Sequence, residues 1–470
     1  MSVTENHQGR LIRIFKNLLP SPFTIAILLT IVTLLLAQFV AKPKSEPHFD
    51  FFIKMVTSWE NGLWDSSAGG LYFAFQMMMI LVLGHILALT PAVDRLIQAL
   101  LNYCNTTASS VITVSLGAIT LGLINWGLGL IFGAIMARKV AEKFAKEHKP
   151  LNYGLVGAAG YATMMVWHGG LSGSATTKSM EEGYIPEMMK NAHISRNFPN
   201  NVPFELTIGS SLNIIIALSC LILIPALLYL IAKKSKNEQI PKFDAEFAHV
   251  LKSEDEKPEG AERLDYSRIL GMGLGASFLL LGIYKAVNYE GDGSLGFIQL
   301  NFINFMFLGL SLLLHRSISN FLKSLDIAIN DVSGILIQFP FYFGILAIMQ
   351  SSGLIVLFSD SITSIANSKT LPFFTFISAG LVNMFIPSGG GQWSVQGPIV
   401  IETASRLDAS LPKTILAMAY GDQWTNMLQP FWALPLLGIT KLKPQQLLPY
   451  SFLVMLLGFL IFGIGLLVFS

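Results

Sequence analysis

The chain contains little charge and little cysteine. Only 13% of its 470 residues are charged, whereas soluble domains carry about 25%. Hydrophobic residues make up 52% of the sequence, so the composition indicates a polytopic membrane protein. A formal net charge of +2 without a basic tract argues against nucleic acid as a partner. Cys104 and Cys220 lie far apart in or beside apolar runs, which argues against a disulfide framework or a cysteine metal site.

Uncharged apolar stretches of near-spanning length predict the transmembrane helices. The first stretch, 23–40, is longer than the apolar core of a signal peptide and has no suitable cleavage site, so we interpret it as a spanning helix. Spans are predicted near residues 22–41, 71–90, 151–170, 206–232, 267–287, 297–314, 332–351, 412–438 and 446–469.

Two further apolar runs, 106–137 and 371–401, are too long and too rich in glycine for simple spanning helices. A straight helix of roughly 30 residues would extend about 45 Å, whereas the hydrocarbon core is about 30 Å thick. In the second run, Pro387, Pro398 and the glycines at 389–391 disfavour helix. Because non-helical backbone at membrane depth is tolerated only inside protein or beside a water-filled cavity, each run is predicted to be a re-entrant hairpin that lines a site.

The distribution of positive charge predicts the topology. Arg10, Arg13 and Lys16 place the N-terminus in the cytoplasm. The basic cluster at 138–149 stays on the same side only if the preceding run is a hairpin. The polar stretch 233–266 is predicted to be a cytoplasmic linker between an N-terminal half, residues 1–232, and a C-terminal half, residues 267–470.

The two halves contain a weak internal repeat. Residues 123–127 (LINWG) resemble residues 381–384 (LVNM), and each irregular run precedes a span that glycine or proline interrupts in its second half. The predicted topology makes the halves enter the membrane from opposite faces, which is typical of inverted-repeat secondary transporters. The predicted fold class is therefore an all-α polytopic membrane protein with about nine to eleven spanning helices and two re-entrant hairpins. Chance similarity between apolar segments is the alternative.

Several motifs match the pattern of a known family: residues 124–130 (INWGLGL), 170–174 (GLSGS), 338–342 (QFPFY), 387–393 (PSGGGQW), 396–398 (QGP), 419–424 (AYGDQW) and 429–435 (QPFWALP). Through these motifs the chain resembles the short-chain fatty acid transporter family, bacterial carriers associated with acetoacetate and butyrate uptake. The resemblance departs at Gln392, where the family pattern has His.

The resemblance implies a scaffold region, a transport region with two hairpins, and an elevator-type motion, as in the wider ion-transporter superfamily. It implies a location in the bacterial cytoplasmic (inner) membrane and leaves a homodimer open. No cofactor is expected, and the coupling ion would be H⁺ or Na⁺.

A substrate with one carboxylate needs donors for two oxygens and a small apolar pocket. The interiors of both irregular runs lack Arg and Lys, so neutral amides, hydroxyls and helix N-termini would bind the carboxylate. Backbone satisfaction by Asn and core packing by Trp remain the structural alternatives. The predicted substrate-binding residues are Asn125, Trp126, Gly127, Ser172, Ser174, Asn383, Ser388, Gly389, Gly390, Gly391, Gln392 and Trp393.

Asp422 is the only acidic residue between Leu411 and Thr440. A carboxyl group at membrane depth is expensive and indicates function, so Asp422 is predicted to carry a coupled proton, to bind a cation, or to hold a structural partner. Gln423 and Asn426 add amides to the same segment, and His168 is predicted to shuttle protons or to be structural.

These features predict an ion-coupled symporter of short-chain monocarboxylates. A cation/proton antiporter or a dicarboxylate carrier on the same architecture is the first alternative, although a dicarboxylate needs a second anion-binding end for which the sequence offers no cation. A membrane-embedded acyltransferase or hydrolase that uses His168 and Asp422 is a remote alternative. The chain has no His-x-x-x-His, Gly-x-Ser-x-Gly or Walker motif, so we do not expect an enzyme.

Overall fold

A computed structural model describes residues 20–64, 70–191, 198–235, 260–289, 297, 300–354, 356–357, 361, 364–385 and 389–469 of the chain. Regular structure in these residues is helical. Five of the described helices are long and apolar enough to cross a membrane: Phe23–Ala41, Thr107–Ile124, Ser211–Lys234, Arg268–Val287 and Pro444–Val468. The predicted all-α membrane fold is therefore confirmed, whereas the total number of spans and the re-entrant position of the hairpins stay predictions.

The helices of the N-terminal half begin after short polar caps. Ser21, Thr106 and Ser210 accept hydrogen bonds from backbone N–H groups of the helices that follow them. The described helices are α1 (Pro22–Leu36, continued by a π-helical turn Ala37–Ala41), α2 (His48–Trp64), α3 (Gly70–Ala88), α4 (Pro91–Leu101), α5 (Thr107–Ile124), α6 (Trp126–Lys146), α7 (Tyr153–Tyr161), α8 (Ser174–Met180), α9 (Tyr184–Asn191) and α10 (Ser211–Lys234).

The C-terminal half repeats this use of caps, with Ser267 and Ser317 at two helix starts. Its described helices are α11 (Arg268–Val287), α12 (Leu300–His315), α13 (Ile318–Ala328), α14 (Ser333–Ser352), α15 (Leu371–Asn383), α16 (Gly389–Arg406), α17 (Leu411–Thr425), α18 (Pro430–Thr440) and α19 (Pro444–Val468).

Each irregular run forms a pair of helices. The run predicted at 106–137 is α5 and α6, and its second helix continues to Lys146. The run predicted at 371–401 is α15 and α16. Both runs are therefore interrupted, but the first break falls at Asn125 and not at a glycine. The prediction that the glycines at 389–391 and Pro398 disfavour helix is wrong, because these residues lie within α16.

Two predicted spans are discontinuous. The span at 151–170 is α7 followed by 3₁₀ turns at Ala162–Met165 and Trp167–Gly169, so its helix ends before the glycines that the sequence indicated. The span at 412–438 is α17, a 3₁₀ turn at Asn426–Leu428, and α18. Helices α2, α4 and α13 lie outside the predicted spans, because they carry charged residues and a search for uncharged stretches passes over them.

The described helices pack in two groups. In the first group, α1 and α2 pack against α14, α3 packs against α12, α13 and α14, and α11 packs against α12. In the second, α15 packs against α17, α5 against α6 and α10, α7 against α19, and α6 against α18. The groups meet where α14 contacts α18 and α3 contacts α6. Each group draws on both halves of the sequence, so the halves interlock in space.

Candidate functional site

The junction between α5 and α6 is closed by its own hydrogen bonds. Asn125 has an extended backbone, and its Oδ1 accepts from Gly127 N at 2.9 Å and Leu128 N at 3.1 Å. Trp126 N donates to Ser172 Oγ at 3.1 Å. The first amides of α6 therefore already have acceptors, and Asn125 serves as the N-cap of this helix.

Asn383, the corresponding residue at the end of α15, uses the nitrogen of its side-chain amide as a donor, whereas Asn125 uses its oxygen as an acceptor. The Nδ2 atom of Asn383 lies 2.6 Å from Asp422 O, 2.9 Å from Thr425 Oγ1 and 2.7 Å from Asn426 Oδ1. Gln429 Nε2 donates in turn to Asn383 O. Asn383 thus ties the end of α15 to the break between α17 and α18. Ser388, which precedes α16, lies outside the described residues.

The two discontinuous segments satisfy each other's free backbone groups. The Tyr161 hydroxyl at the end of α7 lies 2.7 Å from Asn426 O and 3.1 Å from Gln429 O. In the other direction, Gln423 Oε1 accepts from His168 N at 2.9 Å and Gly169 N at 3.3 Å. Because broken helices leave N–H and C=O groups without internal partners, this exchange explains how both breaks persist inside the protein.

A buried His–Asp pair lies where the segments cross. His168 Nδ1 is 3.0 Å from Asp422 Oδ2, and both side chains have 0% exposure. On the other side of the ring, His168 Nε2 accepts a hydrogen bond from Ala175 N at 2.9 Å. The imidazole also stacks on the indole of Trp167, with 4.4 Å between ring centroids.

The N-terminus of α16 approaches this pair closely. A Cβ atom at Gly389 would lie 3.0 Å from Asp422 Oδ2 and 3.1 Å from His168 Cε1. It would also lie 2.6 Å from Trp167 Cη2. Glycine therefore permits the start of α16 to reach the pair. At the next residue, Gly390, the nearest contact of such a Cβ would be Ser174 Oγ at 3.8 Å.

Three tryptophans form an aromatic cluster beside the polar pair. The ring centroids of Trp126 and Trp432 are 5.1 Å apart, and Trp167 lies 6.2 Å from Trp126 and 5.9 Å from Trp432. All three rings are buried. The cluster joins the first junction, through Trp126, to the second discontinuous segment, through Trp432.

Gln392 and Trp393 occupy a different environment. Gln392 Nε2 is 2.9 Å from both Ala379 O and Gln396 Oε1, which holds α16 against α15. Trp393 is buried in a second hydrophobic cluster that includes Ala175 and Met418.

Apart from Gln392 and Trp393, many of the predicted residues lie in two structural sets. His168, Asn383, Gly389, Asp422, Gln423 and Asn426 lie around the crossing of the discontinuous segments. Asn125, Gly127 and Ser172 lie around the first junction. Sequence reasoning missed Tyr161 and Trp167. Their position beside a predicted helix break could have identified them. It also missed Asn213, whose Nδ2 donates to Gly169 O at 2.8 Å.

Crossed discontinuous helices around a buried polar centre are typical of membrane transporters, and comparison with known proteins gives the family. The chain belongs to the short-chain fatty acid transporter family, whose family model matches residues 4–469. It is 35% identical over 459 residues to a protein of Escherichia coli (strain K12) that is provisionally named as a short-chain fatty acid transporter, and the match covers 97% of this chain and 98% of the relative. A protein of Haemophilus influenzae (strain ATCC 51907 / DSM 11121 / KW20 / Rd) with the same provisional name is 34% identical over 453 residues, covering 95% and 96%.

Two solved transporter structures are distantly similar. YdaH of Alcanivorax borkumensis is 15% identical with a TM-score of 0.45, and MtrF of Neisseria gonorrhoeae is 15% identical with a TM-score of 0.39. Each comparison covers 96% of this chain and 97% of the solved chain. The family and its relatives are transporters and not enzymes, which confirms that part of the sequence prediction.

Proposed function

We propose that the protein is a secondary active transporter of short-chain fatty acids of the butyrate and acetoacetate class, in the bacterial cytoplasmic membrane with its N-terminus in the cytoplasm. The observation that carries this proposal is the crossing of two discontinuous helices at a buried polar centre, in a chain that belongs to the short-chain fatty acid transporter family. Substrate sites of secondary transporters lie at such breaks, because helix ends supply partial charges there.

The carboxylate would bind at the start of α16. The first amides of α6 are occupied by Asn125 and Ser172, so we place the anion at the N-terminal end of α16. Gly389 and Gly390 would present backbone N–H groups, and Ser174 would add a hydroxyl near Gly390. Neutral donors suit a substrate that must leave again.

The acyl tail would lie against the aromatic cluster of Trp126, Trp167 and Trp432. Indole rings provide large apolar faces, and a Cβ atom at Gly389 would lie only 2.6 Å from the Trp167 ring. A short tail would lie beside this cluster, whereas a second carboxylate would lack a cation to pair with among the described residues of the site. This arrangement favours a monocarboxylate over a dicarboxylate.

Alternating access would move the second helix group past the first in an elevator-type motion. The two groups share an interface along which this motion would occur, since α14 and α3 of the first group meet α18 and α6 of the second. The inverted halves at 1–232 and 267–470 would place the two helix pairs at opposite faces of the membrane as re-entrant hairpins.

Substrate movement would be coupled to H⁺ or Na⁺ at the polar centre. Asp422 would bind a proton there, since the side-chain oxygens of Gln423 and Asn426 already accept hydrogen bonds from other groups of the protein. An antiporter of cations and protons would use the same residues but would not need a carboxylate site. Only an assay that includes a carboxylate substrate can distinguish the two functions.

Counterflow in proteoliposomes tests the proposal. Vesicles preloaded with unlabelled butyrate should accumulate labelled butyrate, and external acetoacetate should compete whereas succinate should not. Protein-free vesicles are the background control, and varied pH and sodium identify the coupling ion. Absence of counterflow for every short acid under all of these conditions would overturn the proposed function, and competition by succinate would point to a dicarboxylate carrier.

A further inference from the structure

We propose that the coupled proton binds to Asp422, on Oδ1, and that His168 is a positioning residue held in one neutral tautomer rather than a proton shuttle. This inference deepens the proposed function, on which it rests for the coupling of the proton to transport. The observations that carry it are the contacts on the two ring nitrogens of His168 and the environment of the two Asp422 oxygens.

The hydrogen bond from Ala175 fixes the tautomer of His168. A nitrogen that accepts from a backbone N–H carries no proton, so the proton of the neutral ring must be on Nδ1. That proton faces Asp422 Oδ2 at 3.0 Å. A second proton on the ring would have to bind at Nε2, where it would confront the N–H of Ala175. The buried amide would then lose its acceptor, which is costly.

Asp422 can accept a proton without breaking any contact. Both of its carboxyl oxygens are buried; Oδ2 faces the Nδ1 proton of His168, and Oδ1 makes no hydrogen bond within the described part of the chain. A buried carboxylate at membrane depth is costly when one of its oxygens has no donor. A proton on Oδ1 removes the charge and leaves Oδ2 beside the imidazole, so the pair takes up the proton on Asp422.

The other titratable groups near α17 are engaged elsewhere. The elements that pack most closely against α17 are α8, α15, α16, α19 and the three 3₁₀ turns, and His168 is the titratable group that faces Asp422 from them. The remaining titratable side chains on these elements have partners away from the pair: Glu402 with Arg406, Lys178 with Glu181, and Tyr450 with Asn152. On α17 itself, Tyr420 donates to Asn213 Oδ1, and Lys413 lies in the first turn.

This position of the proton explains coupling to an anion. A carboxylate bound at the start of α16 would lie beside Asp422, because a Cβ atom at Gly389 would lie 3.0 Å from Oδ2. An ionised Asp422 would repel the substrate, whereas a protonated Asp422 is neutral and can donate a hydrogen bond to it. Proton and substrate then favour each other's binding to the same extent, as thermodynamic linkage requires.

Infrared difference spectroscopy during a pH titration tests the proton site without any substrate. The purified wild-type protein should show the C=O stretch of a carboxylic acid that disappears on deprotonation. The Asp422→Asn variant should lose this band, whereas His168→Gln and the control Glu402→Gln should keep it. Persistence of the band in Asp422→Asn, or its loss in His168→Gln, would overturn the assignment to Asp422.

The pH profile of butyrate counterflow gives a second readout. Wild-type exchange should fall about tenfold per pH unit on the alkaline side, as one bound proton requires. Asp422→Asn should make exchange independent of pH, and His168→Gln should slow exchange but keep the wild-type slope, because a glutamine oxygen can still accept from Ala175 N. A flat profile in His168→Gln, together with a normal slope in Asp422→Asn, would refute the inference.

The two experiments separate the two proposals. A titrating Asp422 band in a protein that shows no counterflow would contradict the proposed function and leave the proton site standing. Counterflow in the wild type, together with an unchanged band in Asp422→Asn, would contradict the proton site and leave the proposed function standing.

Discussion

The two asparagines of the internal repeat should respond differently to one substitution. Asn125 uses its Oδ1 as an acceptor for two amides of α6, whereas Asn383 uses its Nδ2 as a donor toward three acceptors. Serine can accept the hydrogen bonds that Asn125 accepts, but it cannot donate all of the hydrogen bonds that Asn383 donates. A serine oxygen caps a helix about as well as asparagine does, so Asn125→Ser should cost less than about 1 kcal/mol.

Asn383→Ser should be far more costly. The asparagine amide has two hydrogens for Asp422 O, Thr425 Oγ1 and Asn426 Oδ1 at 2.6 to 2.9 Å, and a shorter hydroxyl has one. Each buried acceptor that is left unsatisfied costs about 1–3 kcal/mol, so the loss should be about 2–4 kcal/mol. One alanine variant completes the set: Asn125→Ala should cost about 0.5–2 kcal/mol through the lost N-cap.

Unfolding of the purified variants in mixed micelles, followed by tryptophan fluorescence, measures these differences. The expected order of stability is wild type, then Asn125→Ser, then Asn125→Ala, then Asn383→Ser. Equal destabilisation by serine at both positions would refute the reasoning, since it would mean that donor and acceptor roles do not distinguish the two residues.

Three further predictions follow from particular contacts. Tyr161→Phe should destabilise the protein by about 1–3 kcal/mol, because it removes the donor that the two carbonyls of the second break share; an unchanged unfolding midpoint would contradict this. Gly275→Ala should weaken the α11–α12 contact by about 1–3 kcal/mol, since its Cβ would lie 2.5 Å from Leu313 N, whereas Gly273→Ala, with nothing within 4 Å, should be neutral in the same assay. Ser172→Ala should leave the Trp126 amide without its acceptor and lower counterflow and stability together; a loss of neither would show that this hydrogen bond has no role.

Much of the fold was predictable because composition and hydrophobic length are local properties. The low charge and the spacing of apolar runs indicate the membrane helices, and the spans near 22–41, 206–232 and 267–287 correspond to α1 with its π turn, α10 and α11. The amphipathic helices were missed for the same reason, since a search for uncharged stretches cannot detect a helix such as α2, which carries charge on one face.

The site was predictable only as a set of residue types. A lone acidic residue in an apolar segment identified Asp422, and the interrupted helices identified the neighbourhood of Asn125 and Asn383. The sequence could not say that these two asparagines use opposite atoms of their amides, because each role depends on which backbone groups lie across the contact. Nor could it separate Gln392, which holds α16 to α15, from the residues at the polar centre.

The sequence by itself determined the membrane environment, the family and which apolar runs are interrupted, since these depend on composition, motif and length. The tertiary structure decided which breaks meet. Tyr161 and Gln423 each satisfy backbone groups of the other discontinuous segment, and this crossing brings His168 within 3.0 Å of Asp422 across more than half of the chain. The physical reason is that polar backbone inside a membrane must find partners, and only folding shows where those partners are.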